Sequence, residues 1–300
     1  METPASGHEP VLLAETLSLL DVREGQTVVD CTVGRAGHAR ALAGRLGATG
    51  LLIGLDVDPA NLRYAQDRLA DAACQVRLFH ANFAELGDVL REAGVQAVDG
   101  LLADLGVSTN QLFDPRYGLS FSQDMPLDMR LDPRLERTAA DIVNTWSEEE
   151  LADLLYELAQ ERDSRRIARK IIEARRVSPM TTTGRLADVV RSAARRRGGA
   201  PEKIDPATRT FLALRMAVNS ELDNLRSLLG TIPARLRPGG RAAVIAFQSM
   251  EDRLVKQTFR AAQRSGLVEI LTRKCVVPGE SERKANPRSR SAKLRAIRRL

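Results

Sequence analysis

The first hundred residues alternate short apolar runs with helix-length amphipathic stretches, and this order constrains the fold more than any other feature. Residues 27–30, 51–56, 76–79 and 98–104 read as strands. Helical patterns lie between them, from about 38 to 46, 59 to 70 and 86 to 93, with Pro59 placed where a first helical turn tolerates it. Strands separated by helices of this length form βαβ units and a parallel sheet. The runs are apolar without alternation, as strands covered on both faces must be. The chain is therefore expected to be α/β.

The alternation then stops. Residues 113–140 are rich in Pro, Asp, Gly and Arg, a long irregular stretch of the kind usually kept for function. Ser147-Glu148-Glu149-Glu150 is a capping box opening a helix with Leu151, Leu154, Leu155 and Leu158 on one face. Helical patterns continue to about 197, interrupted at Ser178-Pro179. From Pro206 a long helix sets Phe211, Leu214, Val218, Leu222 and Leu225 on one stripe. A turn at 236–240 precedes another buried-type strand at 242–247, and residues 292–298 are a candidate last strand. A sheet that pauses and resumes implies an all-helical insertion. The expected parts are 1–112, the insertion 113–205, and the return 206–300.

Charge narrows the partners. From Arg283 to Leu300 there are eight Lys or Arg and no acid, while the rest of the chain holds 37 basic against 39 acidic residues. Smaller basic clusters occur at Arg165-Arg166, Arg175-Arg176 and Arg195-Arg196-Arg197. Such asymmetry fits either a polyanion such as nucleic acid or a solvated face. No run of apolar residues is long enough to span a membrane, and the polar start does not suit a secretory signal. Cys31, Cys74 and Cys275 lie too far apart for a zinc cluster or a disulfide framework, so no metal and a cytoplasmic setting are expected.

The sharpest local signal is the loop Asp30-Cys31-Thr32-Val33-Gly34-Arg35-Ala36-Gly37-His38 after the first strand. Glycine there lets the backbone approach a ligand. Asp56 ends the second strand, where a carboxylate accepts hydrogen bonds from ribose hydroxyls. Asp30 at the mouth of the loop would repel a pyrophosphate but suits a ligand with a cationic centre and an amino group. S-adenosylmethionine is such a ligand, and a dinucleotide fits less well. Asp104 ends the fourth strand on the same carboxyl edge. Asp58, before Pro59, reads as a helix cap.

Seven segments in order resemble one family. They are His8-Glu9-Pro10-Val11-Leu12-Leu13, the loop from Asp30 to His38, Asp104-Leu105-Gly106-Val107-Ser108, Pro126-Leu127-Asp128-Met129-Arg130, Pro206-Ala207-Thr208-Arg209-Thr210-Phe211, Val218-Asn219-Ser220-Glu221-Leu222 and Asn286-Pro287-Arg288-Ser289-Arg290-Ser291-Ala292. Together they are similar to the bacterial 16S ribosomal RNA cytosine-N4 methyltransferases. The resemblance implies a Rossmann-like class I methyltransferase domain with an inserted helical substrate-recognition domain. It implies methyl transfer from S-adenosylmethionine to N4 of a cytidine in the decoding centre of the small ribosomal subunit. Carried over, Ala36, Gly37, His38, Asp56, Phe83, Asp104 and Gln111 would contact the cofactor beside Asp30 and Gly34. Asp104 would also hold the target amine.

Four positions depart from the family's pattern: Ala36 and Ala285 replace a Gly and a Glu, and Gln248 and Asp205 each replace a His. Arg130, Arg209, Arg253, Arg288 and Arg290 are candidate contacts to RNA phosphate or base, each equally able to pair with a nearby carboxylate. A non-catalytic ribosome-assembly factor and a methyltransferase for another substrate remain alternatives, and the chain is either monomer or homodimer.

Overall fold

The computed structural model describes residues 10–193 and 205–300; His8, Glu9 and the cluster Arg195-Arg196-Arg197 lie outside them. The chain divides into two compact units, the described residues of Met1–Gly106 with Leu222–Leu300, and Val107–Glu221.

The first unit is built on a seven-stranded sheet. Its strands are β1 (Thr27–Asp30), β2 (Leu51–Asp56), β3 (Gln75–His80), β4 (Val98–Asp104), β5 (Leu236–Ala246), β6 (Val268–Ile270) and β7 (Lys293–Arg299). The spatial order is β3-β2-β1-β4-β5-β7-β6. β1 to β5 run parallel, and β7 inserts antiparallel between β5 and β6. This is the expected doubly wound, Rossmann-like α/β arrangement. Leu101, Leu102 and Ala103 of β4 are fully buried, which explains a strand apolar on both faces. Strand order reverses between β1 and β4, and a doubly wound sheet binds ligands at the carboxyl ends flanking such a reversal.

Two local features differ from the simplest reading of the sequence. The expected turn at 236–240 lies inside β5: Leu236 pairs with Val98 and Arg241 with Gly100, so the residues between are looped out. Gly239 takes φ +80° there, a conformation that favours glycine. The basic C-terminus is largely architectural. Leu294, Ala296 and Ile297 are fully buried, Arg295 pairs with Asp252 (2.7 Å), Arg298 with Glu269 (2.6 Å), and Arg299 Nη1 donates to Pro233 O. A strand whose inward residues are apolar and whose arginines find carboxylates uses its charge internally.

The second unit is helical. Its helices span Thr109–Phe113, Ala139–Thr145, Glu148–Ala159, Ser164–Val177, Thr183–Ala193 and Ala207–Val218. The Ser147 capping box forms as expected, and Glu148, Glu149 and Glu150 in the first turn suit the positive end of the helix. The sequence returns the chain to its first part at 206, but helix Ala207–Val218 places Phe211, Ala213 and Leu214 in the second unit's core. The irregular stretch is held by hydrogen bonds instead of regular structure. Asn219 accepts from Leu131 N and donates to Met129 O and Arg215 O, all at 2.8 Å. Arg175 Nη1 donates to Val143 O and Trp146 O, so this member of a basic cluster is scaffold. Among the described residues, no helix is long and apolar enough to cross a membrane.

Candidate active site

The glycine loop is shaped by carboxylates at both ends. Asp30, at the end of β1, is 2% exposed, and its Oδ1 accepts from Thr32 N at 3.1 Å. Asp56, at the end of β2, accepts from Gly34 N and Asp58 N at 2.8 Å, with Asn61 Nδ2 beyond at 3.3 Å. Asp56 therefore ties the loop to β2, a duty the sequence did not reveal. The long Asn61 bonds, 3.4 and 3.3 Å to the two oxygens, are the ones a ribose hydroxyl would displace. Burial pushes Asp30 up to about 7 and Asp56 to about 6, with hydrogen bonds from Thr32, and from Asp58 and Gly34, pulling the other way.

Beyond Gly34 (φ +50°) the chain turns through Ala36, which takes φ 59°, ψ 29° with its methyl fully buried. Ala36 N donates to Val33 O at 2.7 Å, and helix Gly37–Leu46 starts at the next residue. A Cβ on Gly37 would meet the Pro10 ring at 3.3 Å, so this position is crowded already. The first N–H groups of that helix lack partners along the helix and face the carboxyl edge.

Asp104 ends β4. Its N–H donates to Thr32 Oγ1 at 2.7 Å, which locks the ends of β1 and β4 together. Its Oδ2 is 3.6 Å from His38 Nδ1, while its Oδ1 is buried without a hydrogen-bond partner. Burial raises the Asp104 carboxyl well above the usual carboxylate range, and the nearby charges of Asp30 and Glu251 raise it further. Glu251 is buried too, and its Oε2 accepts from Phe247 N and Gln248 N at 2.9 Å. Thr32 and Glu251 are working residues that the sequence reading did not single out. A Glu three residues after Gln248, at the start of a helical run, was the available signal for the second.

The remaining candidates separate by unit. Phe83 follows β3 at the same carboxyl edge and packs half-buried on the first unit's core. Gln111 lies in the second unit, buried, closing a capping box on Ser108 N at 3.0 Å. Arg130 is clamped on Asp128 through two parallel hydrogen bonds (2.8 and 2.7 Å) and donates to Leu135 O, which makes it scaffold for the irregular stretch. Arg209 is 3.7 Å from buried Glu161. Arg253 and Arg290 are exposed, with no carboxylate within 4 Å among the described residues, and Arg288 is exposed beside them in sequence. Asp58 caps helix Pro59–Arg68 by accepting from Ala60 N, as expected.

Comparison with known proteins settles the class of chemistry. The MraW methylase family matches residues 5–300. The chain belongs to that family. Two curated relatives carry the name ribosomal RNA small subunit methyltransferase H. The protein from Acidobacterium capsulatum is 48% identical, covering 96% of this chain and 97% of its own. The one from Syntrophotalea carbinolica is 48% identical, covering 98% of each. Among solved structures, an rRNA methylase from Streptococcus thermophilus has a TM-score of 0.46 at 12% identity, covering 97% of this chain and 98% of that one.

The methylase's donor is S-adenosylmethionine, and the site fits it on electrostatic grounds. Asp30, Asp56 and Asp104 gather at one edge, close enough that the charge of Asp56 raises Asp30 and that of Asp30 raises Asp104. No Lys or Arg lies within 4 Å of any of them among the described residues. Uncompensated buried carboxyls are costly, and a ligand carrying a sulfonium and an ammonium offsets that cost. Asp30, Asp56 and the amides of Gly37 and His38 are the groups that would hold it. Ala36 takes a left-handed turn of the kind that favours Gly, and helix Gly37–Leu46 starts directly after it.

Proposed function

We propose that this methylase transfers a methyl group from S-adenosylmethionine to N4 of a cytidine in the decoding centre, the P-site region, of 16S ribosomal RNA, in the cytoplasm. The reading rests on its membership of the MraW family and on relatives named for the small-subunit RNA over nearly the whole chain. The inserted helical unit is the substrate-recognition part. The observation that carries the chemistry is the buried, unpartnered Asp104 Oδ1 at the strand-order reversal.

A cytosine N4 amine is a poor nucleophile because its lone pair is delocalised into the ring. When bound, the cofactor supplies an electrophilic methyl. The protein holds the amine in line and favours a more tetrahedral nitrogen through acceptors on its N–H groups. Asp104 Oδ1 is such an acceptor. With its proton on Oδ2, toward His38 Nδ1, a neutral Asp104 carboxyl still presents a carbonyl-type oxygen to the amine. The target base must leave its stack to reach a sheet edge.

The test incubates the protein with tritiated S-adenosylmethionine and small subunits from a strain lacking the activity, then analyses the RNA nucleosides by mass spectrometry. N4-methylcytidine at one decoding-centre position is expected. Bound RNA with no methyl transferred, despite proven cofactor binding, would overturn the reading.

A further inference from the structure

We propose that the outer face of helix Ser249–Arg264, with the cleft between it and β6, is a docking track for the RNA phosphate backbone. The inference rests on the proposed RNA substrate and adds residues to it. Helix Ser249–Arg264 follows β5, so it begins at the same carboxyl edge as Asp104. Its core face carries Glu251, Val255, Phe259 and Ala262, all buried. Helical geometry puts Arg253, Lys256, Arg260 and Arg264, spaced three, four and four, on one stripe of the opposite face. That stripe is about 16 Å long at 1.5 Å per residue.

The neighbouring acids are already engaged. Asp252 pairs with Arg295 and Lys293, Glu269 with Arg298, and Glu251 with two backbone amides. None of the four cations of the stripe has a carboxylate within 4 Å among the described residues. A solvated helix face ordinarily mixes its signs; this one is left uniformly positive beside carboxylates that are spoken for.

A cavity coincides with the stripe. Lys256, Arg260 and Gln263 of the helix line one wall of an open cleft of about 770 Å³, and Thr272, Arg273 and Glu269, the last paired with Arg298, line the other. β6 is antiparallel to β7, which is antiparallel to β5, so β6 points toward the carboxyl edge; its Ile270 pairs with Ile297, level with Ala242, so β6 ends about four residues short of that edge and Arg273 follows it on the way there. Three strand spacings separate β4 from β6, about 14 Å at 4.8 Å each. The cleft thus lies about 14 Å to the side of Asp104, with Lys256 and Arg260 seven and eleven residues along the helix, about 10 and 16 Å from the carboxyl edge, so RNA reaches them several nucleotides away from the target base. Guanidinium groups around a cleft of this size match phosphate oxygens in geometry as well as in charge.

The test uses the full chain with Lys256→Gln, Arg260→Gln and Arg273→Gln combined, and Arg260→Glu alone. Binding of 16S RNA is measured by filter retention against salt, and S-adenosylmethionine affinity by calorimetry. Losing three phosphate contacts should weaken RNA binding at least tenfold at 0.1 M salt and flatten the slope of log K against log salt by about 2. Cofactor affinity should stay within twofold, which also shows that the variants fold. An unchanged RNA affinity and slope overturns the track while leaving the substrate intact. Saturable binding of inorganic phosphate by the wild type, with RNA binding indifferent to the substitutions, also overturns it and marks a small-anion site. A wild-type chain that binds no RNA overturns the substrate reading itself.

Discussion

The His38 imidazole stands between a backbone carbonyl and the Asp104 carboxyl, with Nε2 3.0 Å from Val11 O and Nδ1 3.6 Å from Asp104 Oδ2. A carbonyl only accepts, so Nε2 carries a proton. A neutral ring then turns the Nδ1 lone pair toward Asp104, and a carboxylate there would face it repulsively. One proton on the pair relieves this, and the burial that raises the Asp104 carboxyl favours that carboxyl as its holder. Oδ1, which has no hydrogen-bond partner, is the oxygen left to act as an acceptor.

His38→Ala removes that proton partner and leaves Val11 O unpaired. Stability should fall by about 2–3 kcal/mol, the cost of an unsatisfied buried group and a small cavity. Turnover on small subunits should fall at least tenfold, with cofactor affinity changed far less. Thermal melts and single-turnover methyl transfer read the two effects separately. Lowered stability with full turnover would make His38 scaffold alone.

Asp104→Ala separates the two roles given to that residue. Removing an acceptor aimed at the reacting amine should lower turnover about 100-fold. S-adenosylmethionine affinity should fall far less, because Asp30 and Asp56 remain to face the cation. Unchanged turnover would defeat the catalytic assignment.

The pH dependence of cofactor binding follows from Asp30. Its pKa of about 7 in the free protein lies above the ordinary carboxylate value of 3.8, so the folded protein binds a proton that the unfolded chain has already lost. Stability of the free protein therefore falls as pH rises from about 4 through 7. Binding of a cationic ligand favours the ionised form, so cofactor affinity should fall as pH drops from 7.5 to 5.5. Asp30→Asn should weaken binding and flatten that profile. Calorimetry across this range checks both signs.

The parallel sheet, the helical insertion and the three strand-end acids were legible in the sequence because apolar runs and helical periods are local signals. The partners of those acids were not. Nothing in the sequence shows that Asp56 ties down Gly34 or that Thr32 bridges to Asp104, since each bond joins segments 22 and 72 residues apart. Arg130 could be read equally as a phosphate ligand or as the partner of a nearby carboxylate; its engagement with Asp128, two residues away, depends on loop conformation that the sequence does not show. The C-terminal basic run was readable as a last strand, but not the partners of its arginines, Asp252 and Glu269, which come from other elements. The basic stripe opposite the core face of helix Ser249–Arg264 was readable by period, but its lack of acidic partners was not.

Ala36 offers a test of how two small terms compete. Its left-handed conformation costs about 1 kcal/mol relative to Gly, while its buried methyl returns about 0.8 kcal/mol. Ala36→Gly should therefore shift stability by less than about 1 kcal/mol by urea unfolding. Ala36→Val adds a β-branched side chain at φ 59° in a fully buried position, and should cost more than about 2 kcal/mol.

Asn219 closes the account of the irregular stretch. Its amide donates to Met129 O and Arg215 O while its oxygen accepts from Leu131 N, so it joins the end of helix Ala207–Val218 to a segment about ninety residues earlier. Met129 itself takes φ +66° and is fully buried, a conformation that needs outside support. Asn219→Asp keeps the acceptor and the shape but loses both donors and sets a carboxylate against two carbonyls. Stability of the second unit should fall by about 2–4 kcal/mol, and amides near Met129 should lose hydrogen-exchange protection first. Protection equal to wild type would mean that packing alone, through Leu127 and Met129, holds the stretch in place.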